Sequence, residues 1–211
     1  MDRREFLRAS ALMGLAGIAP KQITAAEIDY YPFLLRVVEE QGRMHDQEMS
    51  DQVRENLRYA CLTVRPRSHD ELAFVAAIGP RWMSYRDLAD EYVRRRSGLP
   101  PSFYDHPLLE LRGWGMPETY RILIYREQLL TLINELTGMS KRDSITLFYK
   151  YLQGRAGIPP LESMATESQR NALTSQDFRM FERMIREYGV RSMPYTWCSA
   201  MASRAEKLAR G

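Results

Sequence analysis

Residues 174–189, "TSQDFRMFERMIREYG", form the segment that decides the fold class. Its large apolar residues recur three and four positions apart, which places them on one face of a helix: Phe178, Phe181, Met184, Ile185 and Tyr188. Thr174 and Asp177 have the spacing of a capping box at the helix N-terminus. The segment therefore predicts an amphipathic helix, which must bury its apolar face against other elements.

The same helical signals recur along most of the chain. They predict helices at 68–79, 84–98, 117–138 and 140–154, and less sharply bounded ones at 27–42, 46–63 and 196–209. Pro117 opens one of these helices, because its missing N–H is tolerated there. No stretch shows the alternation of a β-strand, and no Asn-Gly or Asp-Gly hairpin turn is present. We predict an all-α fold, with about seven or eight short helices in a single irregular bundle formed by one domain, residues 27–211.

The charge balance argues against a nucleic-acid partner. The chain has 30 Lys and Arg against 27 Asp and Glu, and part of this small excess lies in residues 1–26, so the remainder is almost neutral. Nucleic-acid-binding proteins usually gather a basic excess on one face. The run Arg94–Arg96 lies at the end of a predicted helix, where the helix dipole favours cations. We therefore interpret it as a solvated helix end and predict no nucleic-acid partner.

Residues 1–26 have the order of an export signal: a charged start, a short apolar run and a small-residue site. The apolar run Ala9–Ala19 is too short to span a bilayer. It is also apolar nearly all round, which argues against an amphipathic helix. "RREFLR" resembles the bacterial twin-arginine translocation signal at Arg3, Arg4, Phe6 and Leu7, although Asp2 replaces the usual Ser or Thr.

This resemblance implies a periplasmic or otherwise exported protein, with membrane contact only through the signal or an uncleaved N-terminal anchor. The twin-arginine route often carries folded redox enzymes, some of which have small helical partners. We therefore expect a non-catalytic accessory or small subunit that binds a larger protein subunit. The abundant Tyr, Trp and Met residues suit such a role, because they are typical of interface cores.

The least helical region, Ser97–Pro117, offers an alternative enzymatic function. It contains four prolines and three glycines, and Asp105, His106 and Glu118 flank its aromatic residues. Two carboxyl groups beside a cleft could perform acid–base hydrolysis, so the alternative is an exported hydrolase with its site around 97–118. We favour the simpler interpretation, in which this loop plugs the helical core and Asp105 caps a turn.

The remaining candidates concern cysteine and metal chemistry. Cys61 and Cys198 could form a disulfide in an oxidising compartment or remain two buried thiols, and the sequence leaves both open. His45 lacks the Glu-x-x-His pattern of helical di-iron sites, and we expect His69, within a capping sequence, to be exposed. No haem, iron–sulfur, zinc or nucleotide motif is present, so we expect no cofactor and no metal.

Overall fold

The computed structural model describes residues 28–44, 49–79, 85–102, 106–109, 119–154 and 156–211. These residues form ten α-helices, eight of them with seven or more residues, and one short 3-10 helix. They contain no β-strand, only an isolated bridge between Tyr125 and Met193. The predicted all-α fold class is confirmed. None of the described helices is both long and apolar enough to cross a membrane.

The helices follow one another with short connections over most of the described chain. In order they are α1 (Tyr31–Met44), α2 (Asp51–Val64), α3 (His69–Ile78), α4 (Tyr85–Arg96), the 3-10 helix (Pro107–Leu109), α5 (Arg126–Thr137), α6 (Lys141–Leu152), α7 (Leu161–Met164), α8 (Glu167–Ala172), α9 (Ser175–Gly189) and α10 (Tyr195–Arg210).

Side-chain hydrogen bonds cap the starts of α3, α6 and α9, and those at α9 confirm the capping box predicted from Thr174 and Asp177. Ser68 Oγ accepts from the Glu71 N–H at 3.2 Å, and Ser140 Oγ accepts from the Asp143 N–H at the same distance. At α9 the capping box is complete, because the backbone N–H of Thr174 also donates to the Asp177 carboxylate at 2.9 Å. Each of these bonds satisfies a backbone donor that a helix start leaves open.

The described residues bury two hydrophobic clusters. The first lies between α1, α2, α3, α4 and α10, with α3 at its centre, since every residue from Leu72 to Ile78 is buried. The second lies between α5, α6, α7 and α9 and includes Phe148 and Phe181. The half-buried Tyr188 contacts both clusters. That the bundle is a single domain over 27–211 stays a prediction.

The helix predicted from Pro117 to Gly138 is wrong in its first part, because α5 begins only at Arg126. Residues 119–125 are irregular, and Tyr120 and Arg121 have left-handed backbones with φ of 52° and 64°. The buried amide of Gln128 replaces the missing helical hydrogen bonds: its oxygen accepts from the N–H of Ile124 and of Tyr125, and its nitrogen donates to the Ile122 carbonyl and the Thr119 hydroxyl. All four hydrogen-bonding positions of the Gln128 amide are thus used.

Candidate functional site

The structure does not assemble the predicted hydrolytic site within its described residues. Asp105 and Glu118 lie outside them, as does His45. His106 Nδ1 accepts from the Leu108 N–H at 3.1 Å, and its ring packs edge-on against Phe181, with the ring centres 5.3 Å apart. His106 therefore lies against the second hydrophobic cluster, and its role as an acid–base group stays a prediction.

His69 is partly buried rather than exposed, contrary to expectation. Its Nε2 lies 2.8 Å from Ser199 Oγ and its Nδ1 3.2 Å from the Glu206 carboxylate, so it ties α3 to α10. The order Ser–His–Glu is that of a hydrolytic triad. However, Ser199 lies inside α10, where its own N–H belongs to the helical hydrogen bonds and cannot stabilise an oxyanion. The arrangement therefore fastens the last helix to the centre of the first cluster.

The run Arg94–Arg96 is only in part the solvated helix end that its sequence predicts, because Arg94 is exposed, Arg95 is buried and Arg96 is half-buried. The Arg95 side chain is only 5% exposed, Arg96 donates to the Glu71 carboxylate at 2.7 Å, and Arg94 donates to the Pro100 carbonyl at 2.5 Å. The sequence pattern suggested solvation because it could not show that the chain folds back over the end of α4. Arg95 and Arg96 are therefore engaged in holding the fold, whereas Arg94 makes a local contact at the surface.

Glu91 and Arg95 form a buried ion pair in α4, next to the irregular loop that the sequence places at Ser97–Pro117. Arg95 Nε donates to Glu91 at 2.5 Å and Arg95 Nη1 donates to the Tyr120 carbonyl at 2.8 Å, while the Ser102 N–H and hydroxyl donate to Glu91. Burial alone would raise the pKa of Glu91, but the hydrogen bonds from Ser102 and Arg95 outweigh it and lower the pKa. This pair fastens the residues on both sides of the loop to α4.

A second polar arrangement lies where the start of α5 meets the turn before α10. The Arg126 N–H donates to the Met193 carbonyl at 3.0 Å, and the Glu127 carboxylate accepts from the Tyr195 N–H at 2.9 Å. Among the described residues, the Arg126 guanidinium makes long contacts with two neutral oxygens, at 3.3 Å to the Tyr149 hydroxyl and 3.4 Å to the Ser192 carbonyl. Its buried Nε has no hydrogen-bond partner in the part of the chain that the structure describes.

Aromatic and basic side chains are exposed on the elements that meet at Arg126. Tyr149 is 43% exposed and Ile145 36% exposed, and both lie on the solvent face of α6 with Arg142. Arg191 is exposed on the turn beside Ser192, and Trp197, in the first turn of α10, is 52% exposed. We call this surface the junction patch, and it consists of Arg126, Arg142, Ile145, Tyr149, Arg191 and Trp197. A surface that combines arginines with exposed aromatic rings is suited to nucleic acid.

Sequence reasoning missed the junction patch, although α6 carried a signal. The buried stripe of α6 is Ser144, Leu147, Phe148 and Tyr151, which follows helical spacing. Ile145 and Tyr149 are apolar residues off this stripe, four positions apart and three and seven positions after Arg142. Such off-stripe residues are candidates for contact with a ligand. The contribution of Arg126 could not be found this way, because it depends on contacts distant in sequence.

Among the described residues, neither the cysteines nor a cluster of metal ligands forms a second candidate site. Cys61 and Cys198 are both buried thiols in the first hydrophobic cluster, and burial raises the pKa of the Cys61 thiol to about 12. Over the part of the chain that the structure describes, no group of three or more His, Cys, Asp and Glu residues is placed to hold a metal ion. The signal residues Arg3, Arg4, Phe6 and Leu7 lie outside the described ranges.

Comparison with known proteins relates the chain to DNA polymerases. Residues 51–150, from α2 to α6, match the finger domain of the bacterial DNA polymerase III alpha subunit. The chain is 30% identical over 84 residues to the DNA polymerase III subunit alpha of Aquifex aeolicus, which covers 40% of this chain and 7% of that protein. It is 25% identical over 142 residues to the error-prone DNA polymerase of Methylococcus capsulatus, covering 66% of this chain and 13% of that protein. The chain thus corresponds to a small part of each relative.

These similarities overturn the functional expectations drawn from the sequence. An exported, periplasmic accessory subunit and an exported hydrolase are both wrong, because the matches are to polymerases of DNA. The expected absence of a nucleic-acid partner is wrong for the same reason. The export and the protein partner were inferred from residues 1–26, which lie outside the matched range, and the absence of nucleic acid was inferred from the net charge. The resemblance of those residues to a twin-arginine signal stays a prediction, whereas the export inferred from it is contradicted.

Proposed function

We propose that this chain is a DNA-polymerase-related protein whose residues 51–150 act as a finger-type module that binds nucleic acid. The observation that carries this proposal is the finger-domain match, which runs continuously from α2 to α6 and includes both the Glu91–Arg95 pair and Arg126. Both named relatives are DNA polymerases. We expect the protein to work in the compartment that holds the chromosome, the cytoplasm.

The distribution of cations is compatible with this function despite the small net charge of +3. Many arginines of the matched segment pair with carboxylates, as Arg86 does with Glu55 at 2.8 Å and Arg96 with Glu71 at 2.7 Å. Such pairs add little to the field outside the molecule. Contact with phosphates depends on the local arrangement of cations rather than on the net charge of the chain. Binding should therefore involve a few phosphates and be moderate in strength.

The proposal is tested by titrating the full chain into a fluorescein-labelled primer–template oligonucleotide and following fluorescence anisotropy. We expect saturable binding at about 50 mM salt that weakens linearly on a log–log plot as salt is added, because each phosphate contact releases bound counterions. Unlabelled DNA should displace the labelled DNA, whereas inorganic phosphate at the same phosphate concentration should not. If no binding occurs at low salt up to the solubility limit of the protein, the proposed function is wrong.

A further inference from the structure

We propose that the junction patch is a binding site for single-stranded nucleic acid, in which Arg126 contacts a backbone phosphate and Tyr149 stacks on a base. This inference rests on the proposed function and deepens it, because it names the surface and the form of nucleic acid. It is argued from the hydrogen bonding of Arg126, the exposure of Tyr149 and the charge of the surrounding surface.

Arg126 differs in its partners from the paired arginines of the matched segment. Arg54 lies 2.5 Å from Glu39, and Arg95 lies 2.5 Å from Glu91, so each is neutralised by a carboxylate. In the described part of the chain, no carboxylate lies within ion-pair distance of Arg126. Its long contacts with a hydroxyl and a carbonyl leave its charge uncompensated. A planar guanidinium in this state is well matched to the two oxygens of a phosphate.

The location of Arg126 adds to its affinity for an anion. It is the first residue of α5, where the helix dipole favours negative charge. A phosphate that replaced the Tyr149 hydroxyl on the guanidinium would exchange a 3.3 Å contact with a neutral group for a charge-assisted hydrogen bond. The same exchange would release the Tyr149 side chain from its contact with Arg126, so that the ring could meet a base.

Tyr149 provides the stacking surface. Its ring is 43% exposed and is supported from below by Phe148, with the ring centres 5.5 Å apart at 74°. An aromatic ring can stack on any unpaired base, whereas the bases of a duplex are already stacked on one another. Ile145 and Arg142 continue the same face of α6, with an apolar side chain and a second cation. This combination favours a single strand over a duplex.

The charge of the patch favours nucleic acid over a protein partner. Its three charged members, Arg126, Arg142 and Arg191, are all cationic. The neighbouring carboxylate of Glu127 accepts from the N–H of Tyr195 and keeps its charge, so three cations stand against one anion. A surface with this cationic excess and exposed aromatic rings complements a phosphate backbone that carries unpaired bases.

The test measures binding of the full chain to fluorescein-labelled oligo(dT) and to a blunt duplex by fluorescence anisotropy. We expect Arg126→Gln and Tyr149→Leu each to weaken oligo(dT) binding by about tenfold, the size typical of one lost stacking or phosphate contact. Arg126→Gln should also reduce the slope of the salt dependence by about one ion. Tyr149→Leu should leave duplex binding unchanged.

Two matched variants separate the inference from general effects on the fold. Arg58→Gln removes an exposed cation of α2, inside the matched segment but outside the patch, and should change the affinity less than twofold. Tyr149→Phe keeps the ring and removes the hydroxyl that contacts Arg126, so oligo(dT) binding should be equal or tighter. Circular dichroism melting curves identify any variant that fails to fold, and the other member of the pair Arg126→Gln and Tyr149→Leu then decides.

The outcomes distinguish the inference from the proposed function. If wild-type protein binds oligo(dT) and the Arg126→Gln and Tyr149→Leu variants bind equally well, the patch is not the site, although the proposed function stands. The same result would follow if the patch bound a protein partner instead. A weakening by Tyr149→Phe as large as that by Tyr149→Leu would exclude stacking. If the wild-type protein binds no DNA of any form, the proposed function itself fails.

Discussion

Glu91 shows how much a single buried charge depends on its partners. Its side chain is 1% exposed, and it accepts hydrogen bonds from Arg95 and from two donors of Ser102. A buried ion pair need not stabilise a protein more than apolar residues would, but the loss of one partner leaves the other charge uncompensated. Substitution of Glu91 should therefore lower the free energy of unfolding far more than substitution of a residue in a surface ion pair.

We expect Glu91→Gln to lower the free energy of unfolding by about 3 kcal/mol, because Arg95 keeps its buried charge and loses its counterion. Glu55→Gln is the matched control: Glu55 pairs with Arg86, but the two side chains are 59% and 55% exposed, so its loss should cost about 0.5 kcal/mol or less. Urea unfolding followed by circular dichroism measures both values. Equal costs would contradict the buried role of Glu91.

The pH dependence of stability gives an independent check on Glu91. Its pKa is lower in the folded protein than its ordinary value of 4.5, so the unfolded chain binds the proton more readily. The stabilisation is therefore fully present above about pH 4.5 and is lost as the pH falls through the folded pKa. The difference in unfolding free energy between wild type and Glu91→Gln should narrow as the pH falls below 4.5. A difference that stays constant from pH 7 to pH 3 would refute this account.

Two glycines at helix ends, Gly138 and Gly154, differ in how much space surrounds them and should differ in the stability cost of an alanine. Gly138 ends α5 with φ of +67°, and Gly154 follows α6 with φ of +58°, both in the left-handed region. Gly154→Ala should cost about 1 kcal/mol of stability from backbone strain alone, because its added Cβ would meet no atom of the described residues within 4 Å. Gly138→Ala should cost about 2 kcal/mol, since its Cβ would also lie 3.0 Å from Thr166 Cγ2. Urea unfolding compares the two, and a larger loss for Gly154→Ala would refute the argument.

The sequence predicted elements well where the determining signals are local. The start of α9 needed only Thr174 and Asp177, and the end of α5 needed only Gly138, so both were placed correctly. Residues 119–125 were predicted as helix because their apolar spacing suited one. Their true conformation depends on the Gln128 side chain and on contact with Met193, which lies far away in sequence. The same limit hid Arg126, whereas Ile145 and Tyr149 could have been found from α6 alone.

The reactivity of the two cysteines measures whether the first hydrophobic cluster, which joins distant parts of the chain, excludes solvent. Cys61 in α2 and Cys198 in α10 are buried in that cluster as thiols. We expect a thiol-specific reagent such as DTNB to react slowly with the native protein, because the Cys61 thiol is buried and its raised pKa leaves little thiolate. Unfolding in guanidinium without reductant should expose the Cys61 and Cys198 thiols, so that both react with DTNB. A zero titre after unfolding would show a disulfide instead and would contradict this arrangement.

The function of the protein was harder to predict from its sequence than its fold. The near-neutral charge suggested no nucleic-acid partner because a net count cannot show which cations are already neutralised by neighbours. In the folded chain, Arg95 and Arg96 form ion pairs with carboxylates that are largely shielded from solvent. Arg126, a member of the junction patch, has no carboxylate partner among the described residues. Distinguishing these two kinds of arginine requires the three-dimensional arrangement, and the polymerase relatives supply the context in which it matters.

The fastening of α10 to α3 also constrains how the protein is made. His69 meets Ser199 and Glu206 across 130 and 137 residues of chain. A ribosome releases α1 to α4 well before α10, so their apolar faces stay uncovered while the intervening helices are still being translated. The first cluster can close only after α10 has been translated, so folding of this half waits for contacts between residues that are far apart in sequence. Nascent chains stalled before residue 195 should therefore depend on chaperones for solubility.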